Sequence, residues 1–299
     1  MSSNFTKGQR MKKEDNLVVV DLMTLAHRYK HKKQFTFASD MLKTIMSIAN
    51  SYSAKDVIVT SDYGKSAYRL SLFPEYKGDR AARYADQSPE EQKYTELFFA
   101  ELANTRELLA ECTNFIQFKG VEADDIAAYI VAKMKHKYDN VWLISTDSDW
   151  DQNLDKNVHR FSSRTRKEYT LDNFYDEHAV DNPNEWTILK ALQGGHDNIK
   201  GVEDIGPKRG YALIRGMDTI FDLVDKLPIQ GKQKFIMRLN EAEDRLVLND
   251  SLVNLREYCA TAIAFPDIKN IEVLDNFLEN LKESYVVDTE TNEEDINDL

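Results

Sequence analysis

The chain has 299 residues, 42% of them hydrophobic and 30% charged, the balance of a soluble globular protein with one large domain or two smaller ones. Its two cysteines, Cys112 and Cys259, lie far apart without metal-ligand spacing, which excludes a zinc cluster and a disulfide scaffold and leaves both as reduced packing residues. No apolar run reaches the roughly 20 residues of a membrane span, and the start MSSNFTKGQRMKKEDN lacks the core of a secretory signal, so the expected location is the cytoplasm, with no membrane partner.

A formal net charge of −12 argues against a nucleic-acid partner until the acids are located. Asp288, Glu290, Glu293, Glu294, Asp295 and Asp298 form a tail without a base. Eight more, Asp21, Asp62, Glu122, Asp124, Asp125, Asp147, Asp149 and Asp197, are candidates for one site. With both groups set aside, the remainder is mildly basic.

In chain order, residues 1–15 are polar and expected to be disordered, and Met11 is a second candidate start. From Leu17 short β-branched runs alternate with helical patterns: LVVVD (17–21), a helix around 39–53, DVIVTSD (56–62), a long helix from Pro89, FIQF (115–118), a helix over 122–138 and VWLIS (141–145). This alternation predicts an α/β fold with a parallel, doubly wound sheet. Ser88, Pro89 and Glu91 form a capping box at the start of the long helix. NVHRFSS and RKEYTL form a small hairpin, and beyond Leu171 the pattern is nearly all helical. The expected division is a core over 16–180, a helical region over 181–284 packed on the sheet's edge, and a disordered acidic tail over 285–299.

Ligands of open parallel sheets bind beyond the carboxyl ends of the strands. Asp21 and Asp62 end the first two runs, Glu122, Asp124 and Asp125 open the helix after FIQF, and Asp147 and Asp149 follow VWLIS. Each alone reads equally as a helix cap or turn residue, but capping does not explain the convergence of four strand ends. Crowded carboxylates raise one another's pKa, and a hard cation with oxygen ligands removes the conflict. Two Mg²⁺ ions, with Mn²⁺ as a substitute, suit in-line hydrolysis of a phosphodiester. Farther on, GVEDIGPKRGYALIR reads as a tight turn between two helices, with Lys208, Arg209 and Arg215 placed for duplex phosphates. HRYKHKK supplies Arg28, Lys30, Lys32 and Lys33, and GKQKFIMR supplies Lys232 and Lys234, as further DNA contacts.

GVEADD (120–125), STDSDWD (145–151), HDNIKGVEDIGPKRG (196–210) and FPEYKG (73–78) together resemble the 5′ nucleases and flap endonucleases, most closely the bacteriophage type, over residues 17–265. The resemblance implies a PIN-like core, a helical arch over about 76–99, and a helix-hairpin-helix over about 197–215 that takes K⁺ on the carbonyls of Val202 and Ile205. It implies a first metal on Asp62, Glu122, Asp124, Asp125 and Asp147, with Asp21 in or behind its shell, and a second on Asp147, Asp149 and Asp197. Asp151 is assigned to hydrogen bonding. Lys77 would stabilise the charged transition state, Tyr76 would stack a base, and Arg80 and Arg83 would hold phosphates.

Two departures stand out. The family's first aspartate before the glycine turn is replaced here by Gly194 or Gly195, next to a His196 that is either a substitute ligand or an exposed neighbour. Asp204 stands at a usual glycine, where the left-handed conformation suits Asp better than most residues. The expected activity is flap endonuclease and 5′-3′ exonuclease cutting in phage DNA replication or repair, on DNA with 5′ flaps, forks or 5′ ends. The expected state is a monomer, with the acidic tail as a contact for a replication protein. Two alternatives stay open: a branched-DNA binding protein with weak catalysis, because one second-metal ligand is missing, and a small RNase of PIN architecture.

Overall fold

A computed structural model of the chain describes residues 14–79, 84–195 and 197–282. The expectations for residues 1–13, Arg80, Arg83, His196 and the acidic tail lie outside the described residues.

Five strands run parallel: β1 (Asn16–Asp21), β2 (Ala54–Thr60), β3 (Asn114–Ile116), β4 (Asn140–Ile144) and β5 (Val158–Ser162), with β6 (Lys167–Tyr169) antiparallel to β5. The order β3-β2-β1-β4-β5-β6 reverses direction between β1 and β4, the switch point at which such sheets open a crevice. β1 is buried throughout because both faces are covered. Leu17 and Val19 face a core built with Ile126, Ile130, Leu143 and Leu255, while Val18 and Val20 face Leu25, Met41, Phe98 and Leu102.

The second face is covered by α1 (Leu22–His31), α2 (Ala38–Ser51) and α4 (Pro89–Cys112), and short α3 (Ala67–Leu72) follows β2. The capping box is present: the Glu91 amide donates to Ser88 Oγ at 3.3 Å and the Ser88 amide to Glu91 Oε2 at 2.8 Å. The third strand is shorter than expected. Gln117 and Phe118 leave the ladder because Phe118 turns into the core and its carbonyl accepts from the Val121 amide, at 3.1 Å. α5 (Ala123–Met134) also ends early, and a 3-10 turn follows over Lys135–Lys137. Asn157 Nδ2 takes the carbonyls of Lys135 and Tyr138, at 2.9 and 3.1 Å, and so draws the chain out of the helix. The hairpin joins the main sheet, since β5 pairs with β4. Cys259 is a buried packing residue, whereas Cys112, at the end of α4, is exposed.

The helical region contains α6 (Phe174–His178), α7 (Pro183–Gln193), α8 (Pro207–Ile214), α9 (Ile220–Val224), α10 (Lys234–Asn240), α11 (Glu243–Val253), α12 (Leu255–Ala264) and α13 (Lys269–Glu279). Up to Leu246 these helices share a core of their own with Leu154 and Tyr169 at the sheet's edge. Leu255, Cys259, Ile263, Leu274 and Leu278 of α12 and α13 return to the sheet and pack with α5, so residues 255–279 complete the first core.

Asp250 of α11 is 3% exposed, and burial pushes its carboxyl up to about 6. An acid with a raised folded-state pKa contributes stability below its unfolded value, near 4, which is lost as pH rises through 6. Asp250→Asn keeps an acceptor for Asn254 Nδ2, which donates to Asp250 Oδ1 at 3.2 Å. It should therefore gain about 2 kcal/mol over the wild type at pH 8 and almost nothing at pH 4, as read by urea unfolding at the two pH values. An equal effect at both would refute the assignment.

Candidate metal centre

Four carboxyl-end loops carry the acids. Asp21 leaves β1 and caps α1: its Oδ1 accepts from the Met23 and Thr24 amides at 3.0 and 3.3 Å, and its Oδ2 from Thr24 Oγ1 and Ser145 Oγ at 2.6 and 3.0 Å. With both oxygens engaged, it braces the β1 and β4 loops together. Asp62, two residues past β2, accepts the Ala123 amide at 2.8 Å and so ties the β2 loop to the start of α5. Asp124 accepts Trp150 Nε1 at 2.7 Å. Asp147 turns one oxygen onto the Asp149 amide at 2.9 Å.

The electrostatics of this group are unbalanced. Asp62 is pushed up to about 6 by burial and by the charge of Glu122. Asp124 is driven well above the ordinary carboxylate range by burial and by Asp147 and Asp62, and Asp147 is raised by burial and by Asp149. Oxygen donors that repel one another lack positive charge, which a hard divalent cation supplies. Asp62, Asp124 and Asp147 thus suit such an ion.

The remaining acids are turned onto protein cations. Glu122 is 2% exposed and accepts Lys77 Nζ at 2.7 Å, Tyr76 Oη at 3.0 Å and Arg69 Nη1 at 3.2 Å. Burial pushes its carboxyl up, but Lys77 and Arg69 outweigh burial and hold it below its ordinary value. Burial draws the Lys77 ammonium down, but Glu122 together with Tyr76, Asp124 and Asp197 raises it above its ordinary value. Lys77 Nζ also lies 3.7 Å from Asp197 Oδ2, and its amide donates to the Asp197 carbonyl at 3.3 Å, so the segment after α7 is held against the centre. Lys190 of α7, stacked over Trp186 at 4.8 Å, forms an ion pair with Asp149. Among the described residues, no three His, Cys, Asp or Glu side chains converge on one point as a ready metal cage.

Asp125 and Tyr76 are both held by protein partners. Asp125 is 0% exposed, and both its oxygens are clamped by Arg69, Nη1 to Oδ2 at 2.6 Å and Nη2 to Oδ1 at 2.9 Å. It anchors the guanidinium. Tyr76 is 4% exposed, with its ring against Ile199 and Leu252. Asp151 does serve in hydrogen bonding: Arg160 takes its two oxygens at 2.5 and 2.6 Å, and His178 Nε2 lies 2.9 Å from Oδ2.

Sequence reasoning missed Arg69 and Lys190. The signal was present, because each is a charged residue inside an apolar helical run, AYRLSL and WTILKAL. A cation there must find an acid partner or stay out of the core.

The basic patches lie at the end of α1 and around α8 and α10. Lys30 and Lys33 at the end of α1 rest over Phe98 and Tyr94 of α4, at 5.3 and 4.6 Å, with Arg28 half-buried and Lys32 exposed beside them. Lys208 and Arg209 are exposed at the start of α8, where Arg209 Nη1 donates to the Asp204 carbonyl at 2.7 Å. Arg215 Nε lies 3.6 Å from Asp181 Oδ2, while Lys232 and Lys234 are exposed before and at the start of α10. In the turn between α7 and α8, Val202 and Ile205 bury their side chains, and Asp204 adopts φ 65°, the left-handed conformation expected of it.

A parallel sheet with carboxylates at its switch point, a buried lysine beside them and a helical region closing one side is the architecture of the resolvase-like nucleases. The profile for the 5′-3′ exonuclease N-terminal resolvase-like domain matches residues 16–182, and the chain belongs to the 5′-3′ exonuclease and flap endonuclease family. The flap endonuclease of Escherichia phage T5 is 47% identical over 270 residues, spanning 90% of this chain and 92% of that one. The T5 D15 protein co-crystallised with metal ions superposes with a TM-score of 0.82 at 47% identity, over 88% of this chain and 97% of that one. A T5 D15 flap endonuclease variant in a pseudo-enzyme-product complex with DNA and metal ions gives 0.84 at 45%, over 89% and 100%.

Proposed function

We propose that this protein is a structure-specific 5′ nuclease that hydrolyses DNA at 5′ flaps, forks and 5′ ends with two divalent metals, in phage DNA replication or repair. The observation that carries the reading is the group Asp62, Asp124 and Asp147, whose carboxyls are raised by burial and by the charge of neighbouring acids, beside the buried Lys77. Asp62, Glu122, Asp124 and Asp147 would hold a first ion, Asp147, Asp149 and Asp197 a second, with Asp21 bracing the loops behind them and Asp125 acting through Arg69. Mg²⁺, or Mn²⁺ in its place, supplies Lewis acidity for water activation and for the leaving oxygen.

The chain's own groups do the positioning. Glu122 and Asp197 keep the Lys77 ammonium charged and aimed at the acid group, where it offers a fixed positive charge to the phosphate as negative charge develops on it. Arg28, Lys30, Lys32 and Lys33 lie on the α4 side, and Lys208, Arg209, Lys232 and Lys234 on the helical side. Both sets suit backbone phosphates, with Arg215 joining them once released from Asp181. The turn between α7 and α8 is read as a helix-hairpin-helix with K⁺ on the Val202 and Ile205 carbonyls. The chain acts as a monomer in the host cytoplasm, and its acidic tail contacts a replication protein.

On a 5′-labelled flap duplex with Mg²⁺, Asp147→Ala should cut at least roughly 100-fold more slowly than wild type. Equal cutting by both proteins would sink the proposed centre. The second reading, a branched-DNA binding protein with weak catalysis, is favoured by the Lys190 ammonium on Asp149, which competes with a second metal. Tight flap binding in Ca²⁺ with no turnover by wild type in Mg²⁺ or Mn²⁺ would select it.

A further inference from the structure

A cavity of about 660 Å³ opens beside the acid group. Tyr76 stands between the two, its hydroxyl on Glu122 and its ring against Ile199 and Leu252, which line the cavity. The shared wall is rigid. Asn198 Nδ2 donates to the Glu75 carbonyl at 2.9 Å, joining the segment after α7 to the segment that carries Tyr76 and Lys77. Asn249 Nδ2 takes the carbonyls of Ala191 and Lys200, at 2.7 and 3.0 Å, and fixes the wall to α11.

The lining has two chemistries. Phe73, Leu248 and Leu252 offer an apolar surface, while Lys200 and Arg245 bring two cations against the single acid Glu75. The volume lies in the usual range of small-molecule sites, about 300–1,000 Å³. An apolar surface with adjacent cations suits a flat heterocycle carrying an anion. Gly195 and Asn198 of the lining lie on either side of Asp197, whose Oδ2 is 3.7 Å from Lys77 Nζ, so the cavity adjoins the place where a strand held at Lys77 would lie.

We infer that this cavity takes one unpaired nucleotide of the cut strand, its base against Phe73, Leu248 and Leu252 and its phosphate on Lys200 and Arg245. The inference rests on the nuclease reading and adds a subsite to it. The test measures binding of thymidine 5′-monophosphate to the full chain in EDTA by calorimetry, with thymidine, deoxyribose 5-phosphate and inorganic phosphate as separate ligands. Wild type should bind the monophosphate saturably and more tightly than any of the three fragments. Arg245→Ala should weaken binding at least roughly fivefold, Leu248→Trp should abolish it by filling the cavity, and Asp147→Asn should leave it unchanged.

No saturable binding by wild type overturns the inference, as does binding that survives both cavity variants, or inorganic phosphate matching the nucleotide. Flap cleavage by the same wild-type preparation in Mg²⁺ separates the two claims. Cleavage without monophosphate binding removes only the subsite, and absence of cleavage removes the nuclease reading.

Discussion

Arg69→Ala is expected to destabilise the fold by about 3–5 kcal/mol, the cost of leaving a buried charge without its partner. The Arg69 side chain is 3% exposed and spends its donors on Asp125 at 2.6 and 2.9 Å, Glu122 and Ser66 Oγ at 3.2 and 3.3 Å, and the Leu252 carbonyl at 2.8 Å. Removing it strands Asp125, which has no exposure to water, and frees the end of α11 from α3. Burial already raises the Asp125 carboxyl while Arg69 opposes that rise, so losing Arg69 raises it further. A folded-state pKa raised in this way destabilises the variant more as pH increases, so its deficit against wild type should shrink between pH 8 and pH 5. Urea unfolding at both values measures this. A loss below about 1 kcal/mol, or a deficit that grows on acidification, would show that the buried pairing is not what holds these helices.

Arg69 also marks where sequence reading stopped. The strands and acids were legible because each obeys a local rule: β-branched runs form buried parallel strands, and ligand-binding loops follow their carboxyl ends. Asp124 accordingly feels the charges of Asp147 and Asp62. Which acid faces a metal and which faces a cation depends on contacts across long stretches of chain. Asp125 meets an arginine 56 residues earlier, and Asp149 meets a lysine on α7. Tyr76 likewise sits in a basic, aromatic segment that reads as a nucleic-acid surface, but Leu252 of α11 covers its ring. The return of α12 and α13 to the sheet was hidden for a similar reason. Their apolar stripes show that they pack against something, while the partner, α5, lies more than a hundred residues away.

The sequence left open whether Gly194 or Gly195 stands in for the missing second-site aspartate, and the backbone separates the two. Gly194 has φ 72°, and a Cβ there would meet the Ile199 carbonyl oxygen at 2.2 Å and the Gly201 amide nitrogen at 2.4 Å. These are main-chain atoms of the bridge that pairs Gly194 with Lys200, and they have no room to move aside. Gly194→Asp should therefore cost more than about 3 kcal/mol and lose activity through misfolding. A Cβ at Gly195 meets nothing within 4 Å, so Gly195→Asp should keep the wild-type melting midpoint.

If the second metal position is weak for want of a carboxylate, Gly195→Asp should lower the Mg²⁺ concentration for half-maximal flap cleavage by roughly tenfold. The same change should weaken the hold of Lys190 on Asp149, since a bound cation competes for that carboxylate. Gly195 also lines the cavity beside the centre, which supplies the contrary outcome. Should the carboxylate introduced by Gly195→Asp turn into the cavity, the Mg²⁺ curve would stay unchanged while thymidine monophosphate binding weakened by charge repulsion. That pair of results would place the family's missing ligand elsewhere in the segment and leave the acid centre with its present complement of donors.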